Sequence, residues 1–132
     1  MLRNFFAKKP APLTGAPAVR RMKSYSAESG YVYQYFYEGQ RHSSSPPGTE
    51  YVFDVSADRK TSSHVSVFVS DESVASWESQ SGRALSGTER YALAKMALFQ
   101  AFDEREDPSA MREPIRVEAA DVQAILANLN ID

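Results

Sequence analysis

His42 and His64 are the only histidines in this 132-residue chain, and so the only side chains whose ordinary proton affinity lies near neutral pH. Either ring, together with a serine and Asp54, could in principle form the nucleophile, base and orienter of a small hydrolase. The signal is thin. No Gly-x-Ser-x-Gly elbow occurs, and serines are common enough that any histidine has one nearby in the sequence. Zinc chemistry has no better footing, since there is no His-x-His or His-Glu-x-x-His spacing and no cysteine. Lack of cysteine also excludes disulfide scaffolds and thiol nucleophiles. Phosphate-binding glycine patterns are absent, so no nucleotide cofactor is indicated. The acidic run Asp103 to Asp107 lacks the alternating spacing and glycine of a calcium loop, and successive helical residues point in different directions. No cofactor or metal is expected.

Two features fit contact with another macromolecule better than catalysis. Tyr31, Tyr33, Tyr35 and Tyr37 alternate along one stretch and would share a face of a β-strand. Facing outward they form a ladder of phenols, an amphipathic surface of the kind enriched at interfaces; facing inward they pack on a helix. Base stacking would require interleaved basic residues, whereas Glu38 and Glu50 are nearby, so nucleic acid is not the expected partner. The second feature is a basic N-terminal arm. Through Lys23 the chain has six basic residues and no acidic one, leaving nine basic against 17 acidic residues in the remainder, a balance of −8. Phe5 and Phe6 would anchor this arm on a neighbouring subunit or partner. Trp77, the one tryptophan, is either a core residue or a further anchor.

The elements that must position these residues follow from periodicity. Residues 1–17 are Pro- and Ala-rich and read as an extended arm, with 18–132 as a single domain. Val19 to Tyr25, Tyr31 to Tyr37, Glu50 to Ser56 and Ser63 to Ser70 read as four strands of an antiparallel meander. Gly39 to Gly48 reads as a long flexible hairpin loop. A short helix runs from Ser70 or Asp71 through Glu78, and Ser86-Gly-Thr-Glu89 has the spacing of a capping box. The following helix, Tyr91 to about Glu104, is apolar nearly all round and should lie buried at the centre. Ile115 to Val117 is a candidate fifth strand, and Val122, Ile125, Leu126 and Leu129 mark a final amphipathic helix.

The expectation is therefore an α+β fold: a four- to five-stranded antiparallel meander with a buried central helix and two smaller helices on one face, preceded by the arm. The expected function is a small non-catalytic interaction or assembly module, with a protein partner or a second copy of itself. Arm and tyrosine-rich strand (Phe5, Phe6, Tyr31, Tyr33, Tyr35, Tyr37 and Trp77) would be the contact residues. The competing reading is the small hydrolase. No transmembrane segment is expected, and the location is read as cytoplasmic, or mitochondrial if the basic N-terminus is a transit peptide.

Overall fold

A computed structural model describes residues 11–132. Five strands form one mixed sheet in chain order: β1 (Lys23–Ser26), β2 (Val32–Ser44), β3 (Pro47–Ser56), β4 (Ser63–Ser70) and β5 (Ile115–Val117). Neighbours from β1 to β4 run antiparallel, whereas β5 lies parallel to β4, pairing Val67 with Ile115 and Val69 with Val117. The sheet is thus not the purely antiparallel one expected. Between β4 and β5 the chain makes α1 (Asp71–Ser81) and α2 (Gly87–Glu104), a crossover long enough to return the strand in the same direction. A 3-10 turn (Pro108–Arg112) leads into β5, and α3 (Ala119–Asn128) follows it.

Helix boundaries have local causes. Ser70 caps α1 by accepting from the Ser73 backbone N–H, and Gly82 closes it in the left-handed conformation. Ser86 and Glu89 form the capping box of α2, with the Glu89 N–H donating to Ser86 Oγ at 3.1 Å and the Ser86 N–H donating to Glu89 Oε1 at 2.9 Å. Arg83 grips the same carboxylate in a fork at 2.9 and 3.0 Å, holding Glu89 well below the usual carboxylate range, at about 2. Beyond α2, Asp107 caps the 3-10 turn by accepting from the Ser109 and Ala110 N–H groups.

Alternation decides which side of the sheet meets the helices. Tyr33, Tyr35, Tyr51, Phe53, Val55, Val65, Val67 and Val69 share one buried face and join a single core with α1, α2 and α3. Leu93, Leu98 and Phe102 of α2 are fully buried in it. Burial of side chains this large contributes about 2–3 kcal/mol apiece before conformational entropy is charged. Gln100 and Glu104, on the other side of α2, are exposed.

The stretch expected as a loop, Gly39 to Gly48, is instead the paired end of β2 and β3, joined at Ser45–Pro46. A β-bulge between Tyr37 and Gly39 makes this extension fit. Tyr37 lies opposite Phe53, but Gly39 lies opposite Val52, so the inward parity passes from odd residues to even ones. Gly39 has φ of +129°, and a Cβ there would stand 2.8 Å from the Thr14 carbonyl oxygen. That close approach is a clip: Thr14 and Gln40 exchange two backbone hydrogen bonds, both 2.8 Å. The described end of the arm is therefore fastened to its own sheet. Polar residues pair here because ladder hydrogen bonds need no apolar side chains, and Arg41 adds a 3.1 Å ion pair to Glu50 across the strands.

Candidate functional site

The tyrosine strand points inward. Tyr33 is fully buried, its ring stacked on Phe102 with centroids 4.2 Å apart. Tyr35 is 4% exposed and meets Phe99 edge-on at 5.6 Å. Tyr37 is half-buried against Tyr91, and its hydroxyl donates to Gln40 Oε1 at 3.0 Å. Only Tyr31 stands well into solvent, at 39% exposure. The phenol ladder is consequently a core wall rather than a displayed surface. The reason is α2, whose Tyr91, Phe99 and Phe102 offer those rings an aromatic layer that water cannot. Trp77 is likewise buried, with the Arg83 guanidinium 5.2 Å above its ring. Phe5 and Phe6 lie outside the described residues.

On the opposite face of the sheet no helix packs among the described residues. Its centre is apolar, with Phe36, Val52 and Phe68, and its margin is charged. Arg20 lies 4.2 Å over the Phe36 ring and reaches Glu38 at 3.1 Å and Asp54 at 3.0 Å. His64 faces Glu38 at 3.7 Å, and Ser66 donates to Glu50. These contacts consume the groups a hydrolytic triad would need. Asp54 serves Arg20 rather than a histidine, and neither imidazole has a serine hydrogen-bond partner among the described residues. His42 pairs opposite Thr49 and His64 opposite Asp54, five residues further along β3. They are offset by roughly 17 Å along the strand direction, two strands apart, and lie on opposite faces of the sheet. Two clefts, of about 420 and 370 Å³, include neither histidine.

The acidic run has structural partners too. Asp103 accepts from the Tyr25 hydroxyl at 2.8 Å and the Glu28 N–H at 2.9 Å, tying the β1–β2 turn to the end of α2. Burial, reinforced by that carboxylate, pushes the Tyr25 phenol up to about 12. Among the described residues no group of three or more metal-ligating side chains is gathered, and no helix is long and apolar enough to cross a membrane.

What does stand out is an apolar strip along one edge. Among the described residues the exposed large hydrophobic ones are Val19 at 64%, Met22 at 52%, Tyr31 at 39% and Val32 at 45%. All four fall within residues 19–32 and flank β1: Val19 and Met22 lead into it, Tyr31 precedes β2 and Val32 begins β2. β1 itself pairs on one side only, leaving its outer row of N–H and C=O groups free of a strand partner among the described residues. Sequence reading passed over Val19, Met22 and Val32 because the tyrosines dominate the region. The alternation of Val32, Gln34 and Phe36 between those tyrosines was the available signal. Comparison with protein-family models, with curated proteins and with solved structures finds no match for this chain.

Proposed function

We propose that the protein is a small non-catalytic assembly module that pairs with a second copy of itself along β1. The observation that carries this reading is the concentration of every exposed large hydrophobic residue of the described chain beside its unpaired edge strand. Edge strands recruit other strands through main-chain hydrogen bonds, and flanking side chains decide which strand is accepted. Charge selects the orientation. In an antiparallel two-fold arrangement the basic segment Arg20 to Lys23 of one copy lies beside the turn after β1 that carries Glu28 in the other. A parallel arrangement would set the basic segments against each other. Phe5 and Phe6, which precede this edge in the chain, are proposed as additional anchors on the neighbouring copy.

The test is the solution mass of the full chain by light scattering after size exclusion, compared with Met22→Glu/Val32→Glu. Both side chains are exposed, so the double variant should keep the monomer fold, checked by circular dichroism. The expected result is a dimer for the parent chain and a monomer for the variant. A parent chain that stays monomeric at its highest soluble concentration, or a variant that stays dimeric, overturns the proposal. A chain beginning at Ala18 then measures what the arm adds.

A further inference from the structure

On the helix side of the same edge, the residues leading into β1 pass over the tyrosine wall and enclose a cavity of about 160 Å³. Arg21 and Lys23 line it from the edge, and Tyr35, Tyr37 and Tyr91 line it from β2 and α2. Lys95, one turn along α2 from Tyr91, adds a third cation at its margin, with Nζ 6.0 Å from the Tyr35 ring centroid and 5.8 Å from that of Phe99. No carboxylate lines the cavity, and none of the three cations has an ion pair among the described residues. Arg21 and Lys23 come from the basic segment that ends at Lys23, and Lys95 from the remainder, whose balance is −8.

Two of those cations act on each other. Burial foremost, then the Lys23 charge, pulls the Lys95 amine down from its ordinary range. Like charges so placed repel unless an anion bridges them. Donors for that anion are already in position. Tyr35 is 4% exposed, and its hydroxyl has no hydrogen-bond partner among the described residues. Burial holds the Tyr35 and Tyr91 phenols above their usual range, so at neutral pH both keep the proton they would donate.

We propose that this cavity binds a phosphate-type dianion, held by Arg21, Lys23 and Lys95 with the Tyr35 and Tyr91 hydroxyls as neutral donors. The charge and the number of donors favour a dianion with three terminal oxygens over a carboxylate. The surrounding phenol rings give an aryl ester something to pack on, so the source is either free phosphate or an aromatic phosphomonoester. This inference shares Arg21 and Lys23 with the self-association edge but has its own readout, and the mass recorded on each variant separates the two.

The experiment is isothermal titration of the full chain with inorganic phosphate and, separately, with phenyl phosphate, at constant ionic strength set by chloride. The parent, Lys23→Gln and Tyr35→Phe are compared, with light scattering on each to record the mass. The expected result is saturable binding of at least one probe to the parent. Lys23→Gln should bind about tenfold more weakly and Tyr35→Phe several-fold more weakly. Tighter binding of phenyl phosphate identifies the ester as the ligand, and equal binding identifies free phosphate. Absence of saturable binding to the parent, or equal affinity in all three proteins, overturns the proposal whatever the oligomeric state. Lys23 is exposed and Tyr35→Phe retains the ring, so neither outcome hinges on a failure to fold.

Discussion

Removing the Tyr33 hydroxyl should make this protein more stable, the reverse of what most core substitutions do. The ring is fully buried on Phe102, and the hydroxyl is sealed from solvent without a hydrogen-bond partner among the described residues. Burial is also the first cause of its raised proton affinity, ahead of Tyr31 and Asp107. A buried hydroxyl without a partner carries a penalty of about 1–3 kcal/mol. Tyr33→Phe removes that penalty and keeps the stacked ring. A void of roughly one oxygen atom returns about 0.3 kcal/mol of cost. The net expectation is about 1–2 kcal/mol of added stability, or a rise of about 5 °C in Tm for a chain this size. Tyr37→Phe is the matched control on the same strand. Its hydroxyl donates to Gln40 Oε1, so its loss should cost about 0.5–1.5 kcal/mol. Urea unfolding followed by circular dichroism measures both, and the two variants should fall on opposite sides of the parent. If Tyr33→Phe destabilises as much as Tyr37→Phe, the hydroxyl is satisfied and the account of this wall is mistaken.

The same wall predicts alkaline sensitivity. Tyr25, Tyr33, Tyr35, Tyr37, Tyr51 and Tyr91 all have raised proton affinities, with burial the leading cause in each and Tyr25 and Tyr37 reaching about 12. The unfolded chain therefore loses these protons first, at about pH 10. Their contribution is complete below that pH and is lost as the pH rises towards 12. Tyrosinate absorbance should accordingly appear together with loss of far-ultraviolet ellipticity; phenols ionising independently near pH 10 in a folded protein would contradict the burial argument. At the bulge, Gly39→Ala combines a backbone conformation that side chains avoid with a Cβ 2.8 Å from the Thr14 oxygen. It should cost roughly 1–3 kcal/mol and speed amide exchange at Thr14 and Gln40 together. Unchanged exchange at both would show that the clip does not depend on that glycine.

Sequence alone determined whatever is set by residues close together in the chain. The alternation of Ser63 to Ser70 is visible without a structure because a strand exposes successive side chains to opposite faces. Ser86 and Glu89 announce the start of α2 because a capping box is built within four residues, and Pro108 stops any continuation for an equally local reason. Tertiary structure decided everything that depends on what lies across the sheet. Whether the tyrosines face in or out turned on Phe99 and Phe102, more than sixty residues away, which supply the stacking layer. The direction of β5 was set by the path of two intervening helices, which no feature of Ile-Arg-Val encodes. Gly39 reads as a loop signal, yet it sits at a bulge, beside the Thr14–Gln40 bridge, that carries β2 onward against β3 and shifts the parity of β2. The cavity on which the anion proposal rests joins Lys23 of an edge strand to Tyr91 of a helix far along the chain. Periodicity fixes which residues share a face, but only packing fixes what that face meets.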